Sequence, residues 1–155
     1  MQVNGPRTRS EVTAEVLDAM MGVGRRFRRP SAGTTVDPGS FWLLRSLLGE
    51  EPVRPTDLAA SMALDISTVS RHLAQLQRAG LVERSPDPDD RRAQRVQLTP
   101  TGRAEVHKAL SARRAQLEQS LAGWSDDDVE LLHRLITRML ADLESAEEGP
   151  HDDDR

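Results

Sequence analysis

The sequence predicts a mainly helical protein that carries one small two-stranded hairpin. Over most of the chain, apolar residues recur every three or four positions, the spacing of one helix face. Only Leu81–Arg84 and Gln94–Leu98 alternate as paired strands do. Aromatic residues make up 3% of the chain and tyrosine is absent, so the core must be built from Leu, Val, Ala and Met. Such a core suits helices but is thin for a lone monomer of 155 residues. Sharing apolar surface between two copies would relieve the shortage.

The elements follow in order. Residues 10–29 read as a helix, with Ser10 as its cap and Val12, Val16, Met20 and Val23 spaced for one face. Its last turn holds Arg25, Arg26, Arg28 and Arg29, which suit the negative helix end, and Pro30 stops it. The connector "PSAGTTVDPGS" leads to Asp37-Pro38, an N-cap followed by proline at the first helical position. That helix is expected to reach about Gly49, carrying Phe41, Trp42, Leu44, Leu47 and Leu48.

From Pro55 a short helix turns Leu58, Ala59 and Met62 inward, and a tight turn follows at Ala63-Leu64. Asp65 then caps a second helix through Ala79, ended by Gly80. Ile66, Val69, Leu73 and Leu76 form its apolar stripe, opposite Ser67, Thr68, Ser70, Arg71, Gln75 and Arg78. Two short helices joined by so short a turn match the helix-turn-helix pattern. After the hairpin, a long helix spans about residues 100–122, with Val106, Leu110 and Leu117 apolar. A last helix spans about 126–145, capped by Ser125 with Asp128 and started by Asp126-Asp127-Asp128. Its Leu131, Leu132, Leu135, Ile136, Met139, Leu140 and Leu143 cover more than a narrow stripe, a width that asks for a partner.

Charge and composition exclude several functions. The net charge of −4 conceals an asymmetry: residues 140–155 carry −6, which leaves +2 for residues 1–139. The acidic end, 146–155, reads as a solvated, disordered tail; a metal-binding "HDDD" is the sharper alternative. With no cysteine there is no disulfide, thiolate metal site or thiol redox sensor. No apolar run approaches the length of a membrane span and the start lacks a secretory core, so a cytoplasmic protein without membrane contact is expected. Catalysis fares poorly: Ser70 and His72 lie two apart on a helix and do not face each other. His72, His107, His133 and His151 are scattered, and no cofactor is implied. His107 and His133 leave a metal-responsive reading open.

The stretch "SPDPDDRRA" between the two strands is longer than a hairpin needs. Directly after a helix-turn-helix, such a loop is a wing. While the second helix enters a major groove, Arg91 and Arg92 could reach the neighbouring minor groove, where negative potential concentrates. Asp90 would brace the loop by accepting hydrogen bonds from it. The plainer reading, an exposed tip with surface ion pairs, loses weight once the preceding helices are considered.

The segment "PTDLAASMALDISTVSRHLAQLQRAGLVERSPDPDDRRAQRVQLTPTG" resembles the winged helix-turn-helix core of the MarR family of bacterial transcription regulators. The Asp-Arg-Arg wing, the "STVSRHL" helix and the "VQLTPTG" exit carry the likeness over about 48 residues, and the flanking helices agree in order and length. The family pattern often has a small polar cap where Arg54 stands and glycine where Ala63 stands.

The resemblance implies one MarR-like domain over 1–155, with a DNA-binding lobe at 38–99 and dimerisation helices at 10–29 and 100–145. It implies a homodimeric repressor of double-stranded DNA, with pseudo-palindromic half-sites about one helical turn apart. On that footing Ser67, Thr68, Ser70 and Arg71 meet bases and phosphates, with Arg71 the direct base reader and Gln75 reaching either. Arg91 meets backbone phosphate and Arg92 the minor groove floor, or the two exchange roles. Thr56 touches phosphate. His72 reads equally as a phosphate contact or a surface residue. The family's small aromatic or phenolic effectors imply a cleft lined here by Met20, Met21, Phe41, Trp42 and Arg45; ordinary core packing is the competing reading for each. A winged-helix module that binds protein rather than DNA is the remaining alternative.

Overall fold

The computed structural model describes residues 7–29, 36–49, 51–90 and 92–147. Among them the order is α1 (Arg9–Phe27), α2 (Pro38–Ser46), α3 (Pro55–Ser61), α4 (Ile66–Arg78), β1 (Val82–Pro86), β2 (Gln94–Leu98), α5 (Pro100–Leu121) and α6 (Asp126–Glu147). The fold is therefore mainly helical with a two-stranded antiparallel hairpin, as its periodicities predict. It divides into two compact units, residues 1–114 and 115–155.

In the first unit, α1 begins one residue earlier than expected because Thr8, not Ser10, is its cap. The Thr8 hydroxyl accepts from the Glu11 N–H while the Glu11 carboxylate accepts from the Thr8 N–H, a reciprocal capping box. The T-x-x-E spacing at 8–11 was available in the sequence as the signal. None of α1 is buried: Val12, Val16, Leu17, Met20, Met21 and Val23 are all exposed. Asp37 caps α2 as anticipated, accepting from the Ser40 N–H at 3.0 Å, with Pro38 next in line. This helix stops at Ser46 rather than near Gly49. The Leu48 and Gly49 carbonyls beyond it instead accept from the Arg103 guanidinium at 3.0 and 3.3 Å.

The core gathers Phe41, Leu43 and Leu44 of α2, Leu58 and Ala59 of α3, and Val69, Leu73 and Leu76 of α4. Val82, Val96 and Leu98 of the hairpin and Val106 and Ala109 of α5 join it, with Val36, Leu47 and Leu81 from the connecting segments. The Val, Leu and Phe side chains among them contribute about 1.5–3 kcal/mol each when withdrawn from water. The hairpin pairs Val82 with Leu98 and Pro86 with Gln94, so β1 runs two residues past its expected end at Arg84. Val53 adds an isolated bridge on the other side of Val96, with bonds of 3.0 and 2.8 Å, and ties the α2–α3 connector to β2.

One predicted core residue is misplaced. Ile66 belongs by spacing to the buried stripe of α4, yet it is 46% exposed. It stands at the first helical position, ahead of the helix's buried residues Val69, Leu73 and Leu76. The turn before it also departs from ordinary geometry, since Ala63 adopts φ +50°. A left-handed L-residue costs roughly 1–2 kcal/mol, and glycine avoids most of it. Ala63→Gly is expected to raise stability by about 1 kcal/mol net of glycine's greater unfolded freedom, read as a higher midpoint of thermal unfolding.

The second unit holds the end of α5 and all of α6. The Ser125 hydroxyl accepts from the Asp128 N–H at 3.2 Å and donates to the Asp128 carboxylate at 2.7 Å, the cap its spacing predicts. Three aspartates fill the first turn, where the helix dipole favours them. The broad apolar surface is present as well, with Leu131, Leu135, Ile136, Leu140 and Leu143 all exposed. Among the described residues no helix is long and apolar enough to cross a membrane.

Candidate nucleic-acid interface

The site is built on α4 and the hairpin loop. Val69 and Leu73 are fully enclosed and Leu76 nearly so, which fixes the rotation of α4 about its axis. The opposite face must then point to solvent. Ser67, Arg71, Gln75 and Arg78 are exposed there, and Thr68 and Ser70 are partly covered at its edges. The carbonyl of Asp65 accepts from the Thr68 and Val69 N–H groups at 3.0 and 3.1 Å. Its carboxylate makes no cap hydrogen bond, contrary to the expected side-chain cap, and stays exposed. His72 is half-buried against the start of α2, with Nδ1 enclosed and unpartnered. Burial pushes the nearby Asp37 carboxyl up, but hydrogen bonds from Ser40 and Gly39 and the charge of His72 outweigh it and hold the group below its ordinary value.

In the wing, Asp90 accepts from the Arg92 N–H through its carboxylate at 2.9 Å and from the Ala93 N–H through its carbonyl at 2.9 Å. The larger organiser, which sequence reasoning missed, is Asp87. Its side chain is fully enclosed. One carboxylate oxygen accepts from Arg54 Nε at 2.7 Å and Arg95 Nε at 2.8 Å, and the other from the N–H groups of Asp89 and Asp90 at 2.9 and 3.2 Å. Its own N–H closes the loop on the Ala93 carbonyl at 3.1 Å. The Pro-Asp-Pro run at 86–88, an aspartate held where an Asx turn can form, was the available signal. Arg54, which leaves α3 without a side-chain cap, is thereby accounted for: its guanidinium is committed to the wing.

The hydrogen bonds from Arg54 and then Arg95 hold the Asp87 carboxyl well below the usual carboxylate range. A group depressed in the folded state adds stability that is fully present above its unfolded pKa, about 3.9, and is lost as pH falls toward the folded value. Protection of the Asp89 and Asp90 amides against exchange is expected to hold from pH 7 to about 5 and to fall below about 4, where unfolded carboxylates take up protons. Asp87→Asn should remove that acid dependence.

Thr56 is exposed and shares a shallow cavity of about 340 Å³ with Arg54, Pro55, Arg84, Arg92, Ala93 and Gln94. The structure thus brings Thr56 and Arg92 together, and adds Arg84, which sequence reasoning did not single out. Arg84 donates to Gln94 across the strands at 3.3 Å and keeps its Nε enclosed without a partner. Arg91 lies outside the described residues.

The residues expected to line an effector cleft are only partly gathered. Phe41 is a core residue, 1% exposed, edge-on to Trp42 at 5.1 Å and covered by the Arg113 guanidinium at 3.6 Å. Trp42 remains exposed, with Arg45 5.7 Å from its ring. It lines a cavity of about 420 Å³ with Gly24, Phe27 and Arg28, whereas Met20 and Met21 do not line it. Among the described residues no group of three or more His, Asp or Glu could hold a metal ion. The "HDDD" stretch, 151–154, lies outside them.

Comparison with known proteins agrees with this architecture. A family model described as MarR family matches residues 36–93. The chain is 36% identical over 104 residues to YxaD of Bacillus subtilis, an uncharacterized HTH-type transcriptional regulator, covering 67% of this chain and 73% of YxaD. Its fold is similar to that of a MarR family protein from Bacillus stearothermophilus, with TM-score 0.78 and 21% identity over 89% of this chain and 99% of that one. It is also similar to Streptococcus pneumoniae FabT, solved in complex with DNA, with TM-score 0.65 and 21% identity over 88% and 96% of the two chains. A solvent-facing polar helix, a braced wing with an exposed arginine and these likenesses converge: the chain belongs to the MarR family of HTH-type DNA-binding transcriptional regulators, which are not enzymes.

Proposed function

We propose that the protein is a cytoplasmic homodimeric repressor that binds a pseudo-palindromic operator and is released by a small ligand. The observation that carries this reading is the pairing, on one lobe, of an exposed polar α4 face with an exposed wing arginine. In the proposed complex α4 enters the major groove, so that Arg71 reads a base edge while Ser67, Thr68, Ser70 and Gln75 add base and phosphate contacts. Arg92 enters the adjacent minor groove with Arg91 on backbone phosphate, and Thr56 takes a phosphate beside the wing. Asp90 supports the loop between them.

The exposed apolar surfaces of α1 and α6 support the dimer, because large unpartnered patches mark association sites. Two copies related by a twofold axis would present their α4 helices to half-sites about one helical turn apart. The exposed indole of Trp42, with Arg45 beside it, supports an effector site for a small aromatic or phenolic molecule. Met20, Met21 and Phe41 would complete it only through rearrangement or the second copy. Ligand then favours dimers whose recognition helices no longer match the half-site spacing.

Sedimentation of the purified chain, followed by titration with duplexes it selects from random-sequence DNA, tests the reading. A dimer at micromolar concentration and one dimer per duplex are expected. If each copy neutralises at least two phosphates, log affinity should fall with log salt at a slope of about −4 or steeper. A monomer, or binding indifferent to salt, would overturn it.

A further inference from the structure

We infer that Ile66 recognises the C5-methyl group of a thymine in each half-site, making it a specificity-determining residue beside Arg71. The inference rests on the reading of α4 as the recognition helix. Ile66 is the first residue of α4 and is 46% exposed, while Val69, Leu73 and Leu76 of the same helix are buried. It belongs neither to the buried core nor to the partly buried apolar residues packed against it.

The start of the helix does not require an isoleucine. Asp65 occupies the N-cap and its carbonyl already accepts from Thr68 and Val69. A β-branched apolar side chain is a mediocre helix former, and here it gains little by burial. Its neighbours Ser67, exposed, and Ser70, partly covered, are short and leave the isoleucine the longer side chain there. In helix-turn-helix docking the first residues of the recognition helix come nearest the base edges. In the major groove thymine alone among the four bases offers an apolar group, its methyl. The one large apolar side chain at the leading turn of α4 therefore has one chemical counterpart in the groove. Leu64 is exposed to a similar degree, 43%, but lies in the turn outside the helix and serves as a control.

The test uses the full chain and a duplex that it selects from random-sequence DNA. Each thymine of the half-site is replaced in turn by deoxyuridine, which removes the methyl and leaves every hydrogen-bonding edge intact. At one position per half-site the affinity of the unaltered protein should fall about fourfold, the worth of one buried methyl group. Ile66→Ala, which removes the contact from both half-sites of the dimer, should lose about that factor squared, roughly 15-fold, on the thymine duplex and be insensitive to deoxyuridine at that position. Ile66→Val should fall between, and Leu64→Ala should keep the full sensitivity. Unchanged unfolding midpoints would show that these exposed positions leave the fold intact, and Ile66→Val preserves the branched side chain should alanine disturb the helix start.

A deoxyuridine scan with no sensitive position, or a sensitivity that survives in Ile66→Ala and Ile66→Val alike, overturns the inference. Arg71→Ala and Arg92→Ala separate the two levels of failure. If both weaken binding while the scan is flat, only the role of Ile66 falls. If both bind as the unaltered protein does, or no duplex is selected, the recognition-helix reading falls and this inference with it.

Discussion

Gly102→Ala is expected to destabilise the first unit by at least about 3 kcal/mol, the upper end of what forcing atoms into a packed site normally costs. A Cβ at this position would lie 1.8 Å from the Leu81 carbonyl oxygen and 2.8 Å from its carbon. Those atoms are backbone and cannot swing aside as a side chain could. They are also held from both directions: the Leu81 N–H donates to the Leu76 carbonyl at 2.9 Å, and the Leu81 carbonyl accepts from the Thr99 N–H at 3.1 Å. Thr99 adds a hydroxyl bond to the Gly80 carbonyl at 2.6 Å and accepts from the Gly102 N–H at 3.0 Å. The end of α4, the start of β1 and the first turn of α5 thus meet at one point, and only a residue without a side chain fits between them. Chemical denaturation measures the effect. A change within about 0.5 kcal/mol, the scatter of ordinary surface substitutions, would mean the junction is looser than this geometry implies.

Arg71→Ala and Arg92→Ala should each weaken DNA binding strongly, and in different ways. On the proposed docking, a bidentate arginine–guanine contact discriminates by about 1–3 kcal/mol, which is roughly 5- to 150-fold per half-site. Arg71→Ala should therefore relax preference at one base pair, most visibly when the selection from random DNA is repeated with the variant. Arg71→Lys is the sharper control, since it retains the charge but loses the planar fork. It should keep the salt dependence and still lose the base preference. Arg92→Ala should instead weaken binding most where the minor groove is narrow, and make the salt slope shallower because a cation is withdrawn from between the phosphate backbones. The wing backbone carries Arg92 on the Asp90 carboxylate, and Asp90 hangs in turn from Asp87, so the variant should not disturb the loop itself. Amide exchange at Asp89 and Asp90 checks that point.

Much of the fold is legible in the residues alone. Asp37-Pro38 and Ser125 with Asp128 announce two helix starts, because capping is a contact between neighbours in the chain. The strand pair follows from alternation, although β1 runs to Pro86, two residues past the end that alternation gave. The polar face of α4 is likewise readable, since its opposite face must be filled by Val69, Leu73 and Leu76. Even the missed cap at Thr8 is a local signal, the T-x-x-E box, overshadowed by Ser10 two residues on.

Other features depend on what lies across a gap that the sequence does not measure. Asp87 meets Arg54, thirty-three residues earlier, and only the folded connector brings the two within 2.7 Å. Gly102 shows its necessity through Leu81, twenty-one residues away, and Ile66 shows its exposure only once the buried core is seen to leave it out. Periodicity assigns a residue to a face but does not say whether anything covers that face. Element order and most helix starts are therefore set by forces acting within a turn or two of the chain. The braced wing, the glycine junction and the free leading edge of α4 were decided by packing, because burial and ion pairing join residues by distance in space rather than along the backbone.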